Sequence, residues 1–242
     1  MLFIAGPGIR PPTNEEQRTS MGEHITLTAE DGVTIGAYVA KPAGAPRGGI
    51  VVIQEIFGVN HHIRAVADLY AAEGYLAVAP ALYDRVQADY ESGYEQADMQ
   101  AGVATRAKTD AGKVMLDVKA AVAEASKGGK VGVVGYCWGG TLAFAAAVNI
   151  PGVAAASGYY GAGVAAMCDK TPVAPTILHF GETDHSIPMA DVEKIKAARP
   201  ETPVYVYAAG HGFNCDERGA YDKAAADLAR QRTYDFFAKH VG

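Results

Sequence analysis

The sequence predicts an α/β fold: a mostly parallel, doubly wound sheet with an antiparallel N-terminal hairpin and helices on both faces. Three observations carry this. Short apolar runs near residues 49–54, 75–79, 130–134, 153–157, 176–180 and 203–207 alternate with stretches of helical character, which is the pattern of parallel strands joined by crossover helices. The segment from Ile25 to Val39 alternates around Asp31-Gly32, a strong short-range hairpin signal that supplies an antiparallel edge. Finally, Val131-Gly132-Val133-Val134 runs straight into Gly135-Tyr136-Cys137-Trp138-Gly139-Gly140, the strand, sharp turn and helix start of a nucleophile elbow.

Each element has its own reason. Residues 1–20 stand apart as an N-terminal extension. Met1-Leu2-Phe3-Ile4 is apolar but lacks a charged stretch before it and is soon followed by Pro7, Pro11 and Pro12, which is not the form of a signal peptide. Residues 21–242 are expected to form one domain, since a chain of 242 residues with 49% hydrophobic content can bury one large core. After the hairpin and the first parallel strand, Asn60 is a candidate cap for a helix whose apolar positions are Ile63, Val66, Ala67 and Tyr70. Val114, Val118, Ala121, Val122 and Ala125 recur at helical spacing and read as a core-facing stripe. Thr141–Ala147 continues the elbow as an apolar helix, a helix is expected around Met189–Val192, and Tyr221–His240 closes the chain as another.

The elbow singles out the sulfur of Cys137 as a reactive atom, because such a turn holds its nucleophile in strained backbone while flanking glycines avoid collisions. An elbow also predicts an acid and then a histidine, each on the loop after a later strand. Asp184 follows Thr176-Ile177-Leu178-His179-Phe180, and His211 follows Val204-Tyr205-Val206-Tyr207. Cys137, Asp184 and His211 thus form the candidate catalytic triad. Plainer roles exist for each: a buried inert thiol, a turn or cap aspartate, and a surface histidine. Their joint occurrence in the right order favours the triad. Of the other histidines, His179 lies inside an apolar strand and reads as core, His185 is a candidate for the pocket lining, and His61 and His62 are weaker candidates.

Composition bounds the partners. A net charge of −6 argues against nucleic-acid or anionic-membrane binding, which call for basic patches. No apolar run is long enough to span a bilayer. Cys137, Cys168 and Cys215 are odd in number and irregularly spaced, so neither a disulfide framework nor a metal site is expected, and a reducing, cytoplasmic setting suits a reactive thiol. No P-loop, Gly-x-Gly-x-x-Gly or His-Glu-x-x-His motif occurs, and no cofactor is expected. A small-molecule substrate fits best.

Taken together, Gln54-Glu55-Ile56-Phe57-Gly58-Val59-Asn60, the cysteine elbow, Gly158-Tyr159-Tyr160-Gly161, Gly181-Glu182-Thr183-Asp184 and Gly210-His211-Gly212-Phe213 resemble the signature blocks of the dienelactone hydrolase (carboxymethylenebutenolidase) family. The resemblance covers about residues 21–240 and implies an α/β-hydrolase fold and a Cys-His-Asp enzyme that opens a lactone or cleaves a small ester through a thioester. It implies that Glu55 contacts the resting thiol and is displaced when substrate binds. The oxyanion would be held by the backbone N–H of Trp138, the residue after the nucleophile, and by resemblance that of Ile56. The family grips its substrate's carboxylate with two arginines. Here Cys215 stands at the second position and no arginine lies between Val86 and Gln100, leaving Arg85 and Arg218 as replacements to consider. Tyr83, Arg85 and Tyr160 are the candidate substrate contacts, with Trp138 a further pocket wall; core packing is the competing and favoured role for Tyr83 and Tyr159. Two other readings stay open: a general small-ester carboxylesterase, and a thiol protein that senses oxidants without turnover. A monomer or small homo-oligomer is expected.

Overall fold

The computed structural model describes residues 22–242; the N-terminal extension expected over residues 1–20 lies outside the described residues. The chain opens with β1 (Glu23–Thr28) and β2 (Thr34–Ala40), then β3 (Gly49–Ile53), α1 (His61–Ala72), β4 (Leu76–Pro80), α2 (Gln96–Arg106), α3 (Ala111–Ala125) and β5 (Val131–Tyr136). There follow α4 (Trp138–Asn149), β6 (Val153–Tyr159), the short α5 (Val164–Met167), β7 (Thr176–Gly181), α6 (Met189–Ala198), β8 (Val204–Tyr207) and α7 (Lys223–His240). The eight strands make one sheet in the order β1-β2-β4-β3-β5-β6-β7-β8. Strands β3 to β8 run parallel, while β2 is antiparallel to both β1 and β4. The direction of winding reverses between β3 and β5, the switch point where open α/β sheets place their ligands.

Strand alternation sorts the core into two layers. Ile50 and Val52 of β3 and Val134 and Tyr136 of β5 pack with α1, α6 and α7 through Ile63, Ile195 and Phe237. Val51, Ile53, Val131 and Val133 point the other way, onto Val114 and Val118 of α3 and Leu142 of α4. The period-2 geometry of a strand makes this division unavoidable once both faces are covered. Helix starts follow the capping residues: Asn60 Oδ1 accepts the Ile63 N–H at 3.3 Å, Asp110 that of Lys113 at 2.9 Å and Asp222 that of Ala225 at 2.9 Å.

Three differences from the sequence reading have physical causes. The hairpin forms, but through a five-residue connection, Ala29–Val33, closed by the Ala29 N–H to Val33 O bond at 2.9 Å, with Gly32 at φ 81°. Helix α2 has no apolar stripe to announce it, because it buries only Gly102 and Thr105. The third concerns Arg85, expected among the substrate contacts. Its guanidinium instead donates to Asp117 from Nε and Nη2, both at 2.8 Å, and to Asp31 from Nη1 and Nη2 at 2.7 and 2.9 Å. Asp117, on α3, is fully buried, so the fork of Arg85 is consumed in neutralising it and in tying the hairpin loop to α3. Removing one member of a buried pair strands the other charge. Arg85→Ala is therefore expected to lower stability by about 3 kcal/mol in urea unfolding, whereas Asp31→Ala, which leaves Asp117 paired, should lower it much less.

Candidate active site

The site lies where β3, β5, β7 and β8 end. Strand β5 stops at Tyr136 and α4 begins at Trp138, leaving Cys137 to make the whole turn at φ 55° and ψ −114°. A non-glycine residue pays for positive φ in steric strain, so its surroundings must over-determine it. They do. The Cys137 N–H donates to Tyr159 O at 3.0 Å, and Cys137 O accepts from the Gly140 N–H at 3.0 Å. A Cβ on Gly135 would collide with the Gly139 carbonyl, and one on Gly140 with the Tyr159 carbonyl. The elbow glycines are there because backbone passes backbone at contact distance.

Cys137, His211 and Asp184, predicted from three separate loops, meet. His211 Nε2 lies 3.2 Å from Cys137 Sγ, and Nδ1 lies 2.7 Å from Asp184 Oδ2. The Asp184 side chain is buried, and its other oxygen accepts the Ser186 N–H at 2.8 Å. Burial alone would depress the imidazole pKa, but the bonds to Asp184 and Cys137 outweigh it and raise it to about 10. The pairing with Asp184 and Cys137 thus favours the charged form of His211 at neutral pH. Tyr160, at φ 36°, sets its ring edge-to-face against His211 with centroids 5.1 Å apart, and its buried hydroxyl has no partner among the described residues.

Glu55 departs from expectation. The thiol's hydrogen bond is with His211, while Glu55 Oε1 accepts from Arg218 Nη1 at 2.9 Å. The expected Glu55–thiol contact is thus replaced by an ion pair, because a nearly buried carboxylate finds a guanidinium that is itself withdrawn from water. Arg218 is held over the rings of Phe57 and Tyr94, 5.6 and 5.9 Å from their centroids. It reaches Glu55 past Gly212, whose φ of 83° and missing side chain leave room. Glu55 Oε2 is buried without a partner among the described residues.

The remaining candidates divide. Ile56 and Trp138 are buried at the ends of β3 and β5, and the Ile56 backbone packs directly on Gly102 of α2. Tyr83 is a correction: it is buried, its hydroxyl donates to Gly102 O at 3.3 Å, and its ring stacks on Trp138 at 5.3 Å. It supports the tryptophan from behind, where an apolar ring is best spent. His179 is core as expected, between Tyr207 and Thr233 hydroxyls at 2.8 and 3.2 Å, with burial pushing its pKa down to about 3. His185 is exposed, and His61 and His62 pair with Glu217 and Asp216. Sequence reasoning passed over Gln54 as a working residue. Its Nε2 donates to Glu55 O at 3.2 Å and its Oε1 accepts the Leu82 N–H at 3.1 Å, pinning the loop that carries Glu55 and Ile56. The signal was there: a fully buried amide directly after an apolar strand must be hydrogen-bonded. The His211 imidazole is expected to titrate near pH 10 by NMR, and Asp184→Asn to lower that value by roughly one to three pH units.

The chain and its fold have counterparts. The family model described as "Dienelactone hydrolase family" matches residues 35–241. The carboxymethylenebutenolidase of Pseudomonas putida is 37% identical over 235 residues, covering 89% of this chain and 96% of the relative. A Synechocystis sp. protein assigned as a carboxymethylenebutenolidase is 37% identical over 224 residues, covering 84% of this chain and 91% of its own. A crystal structure of a protein assigned as a dienelactone hydrolase, from Klebsiella pneumoniae, superposes with a TM-score of 0.78 at 30% identity, over 90% of this chain and 100% of the other. With the elbow, the switch-point site and these matches in agreement, the chain belongs to the dienelactone hydrolase family.

Proposed function

We propose that this protein is a cysteine-dependent hydrolase that opens a lactone or cleaves a small ester through a thioester on Cys137. The observation that carries this is the unbroken run Asp184–His211–Cys137, with contacts of 2.7 and 3.2 Å, mounted on a strained elbow. An adjacent imidazolium favours the thiolate, the nucleophilic form of cysteine. In the proposed reaction Cys137 Sγ bonds to the acyl carbonyl carbon, and the carbonyl oxygen takes the negative charge. The N–H of Trp138, at the first helical position of α4, has no intrahelical acceptor and is free for that oxygen, and Ile56 is its proposed companion. Collapse breaks the C–O bond, and His211 gives its proton to the leaving oxygen. Neutral His211 then takes a proton from water as the hydroxide adds to the thioester, releasing acid and restoring the thiolate–imidazolium pair. Asp184 orients the ring and stabilises its charge throughout.

Substrate charge is part of the proposal. Both arginines considered as replacements for the family's pair are bound to carboxylates, Arg85 to Asp31 and Asp117, and Arg218 to Glu55. A guanidinium so engaged has fewer donors left for a substrate carboxylate. This supports an uncharged ester or lactone over an anionic one. Tyr160, with its unpartnered hydroxyl beside His211, is the proposed donor to substrate. Three free cysteines suit a reducing compartment such as the cytoplasm, and no helix among the described residues is long and apolar enough to cross a membrane.

Hydrolysis of neutral p-nitrophenyl esters, neutral lactones and dienelactone tests the reading. Cys137→Ala should lose about a thousandfold or more in kcat, acylated Cys137 should be trapped by mass spectrometry, and neutral substrates should exceed the anionic lactone in kcat/KM. Because protonated His211 is required, kcat/KM should hold through neutral pH and fall as pH rises through about 10, with Asp184→Asn moving that fall to lower pH. Undiminished turnover by Cys137→Ala would refute the mechanism.

A further inference from the structure

We propose that His62, Cys215 and Asp216 form a binding site for a divalent cation of the zinc type, separate from the triad. One ring nitrogen of His62, the Cys215 sulfur and a carboxylate oxygen of Asp216 all lie within 4.8 Å of one another. His62 belongs to the first turn of α1, whereas Cys215 and Asp216 come from the loop after β8, so the tertiary fold creates the cluster. The His62 side chain is 5% exposed and Cys215 is fully buried. Although His62 Nδ1 lies 3.2 Å from Asp216 Oδ1, its Nε2 is buried with no hydrogen-bond partner among the described residues. A buried polar atom left without a protein partner is the usual sign of a bound water or ion.

The donor chemistry selects the ion. Imidazole nitrogen, thiolate sulfur and one carboxylate suit zinc or cobalt, whereas magnesium and calcium prefer oxygen throughout. Zinc bonds of about 2.0–2.3 Å need donors slightly nearer one another than this limit requires. The Asp216 side chain, 68% exposed, has freedom to swing inward. A cavity of about 80 Å³ is bordered by two of the three donor residues, His62 and Asp216, together with Tyr136, Asn214 and Arg230. Arg230 is the cationic group facing it and opposes metal entry from that side. On binding, the Cys215 S–H bond breaks, its proton passes to solvent and the sulfur bonds the metal. Thiolate and carboxylate then balance the charge of the ion. The cation would staple to α1 the loop that also carries His211 and Arg218, which makes the site a stabilising clamp on the catalytic loop.

Cobalt(II) titration of the Cys137→Ala protein tests this, that background removing the triad thiol as a rival ligand. One equivalent should bind with a thiolate-to-cobalt charge-transfer band, disappear on addition of zinc, and raise Tm. Cys215→Ser should abolish the band, His62→Gln should weaken binding at least about tenfold, and Asp216→Ala, at an exposed position that leaves the core intact, should weaken it about tenfold. No band under excess cobalt, a band that survives Cys215→Ser, or affinity untouched by both His62→Gln and Asp216→Ala would overturn the proposal.

Discussion

The turn at Cys137 is the constraint on which the rest of the structure depends. One residue must carry the chain from the centre of a parallel sheet into a buried helix, and it does so at positive φ. The turn survives because β3 and β6 crowd it on either side: Gly139 lies against the Ile53 and Gln54 carbonyls, and Gly140 against that of Tyr159. Backbones this close admit no side chains, so the glycines, the strand spacing and the position of the sulfur are one geometrical fact. The same crowding brings the end of β3, with Gln54, Glu55 and Ile56, beside the elbow.

Around this rigid centre the charges are arranged as two buried pairs. Asp184 lies against His211 Nδ1 and favours its charged form, and Arg218 holds Glu55. Either carboxylate would be expensive to bury alone. Their pairing divides the site electrostatically: the first pair sets the His211 ring against the sulfur, while the second matches the charge of the buried Glu55 carboxylate. Arg85 performs the corresponding service for Asp117 beneath the hairpin. Among the described residues, the two arginines considered as replacements for the family's pair are each bound to a buried carboxylate, Arg85 to Asp117 and Arg218 to Glu55.

The parallel sheet was legible in the sequence because buried strands leave unbroken apolar runs, and β3 to β8 fall within a few residues of where those runs stand. Helix α3 was legible from its stripe, but α2 was not, since a helix that buries only Gly102 and Thr105 carries almost no periodic signal. At the site, Cys137, Asp184 and His211 could be named because an elbow dictates both their order and the strand ends they follow. Tyr83 and Arg85 were misplaced because side-chain direction on an irregular loop has no sequence period.

The amino-acid sequence by itself determined which runs are buried, where the chain must turn on glycine, and which three strand-end loops carry Cys137, Asp184 and His211. These are local properties, set by periodicity and backbone sterics. Only the tertiary structure decided which partner each charged or polar side chain takes. Glu55 and Arg218 are 163 residues apart in sequence, and His62 and Asp216 are 154 apart. Such pairings depend on distances across the assembled sheet edge, where burial makes an unpaired charge costly and the nearest opposite charge prevails.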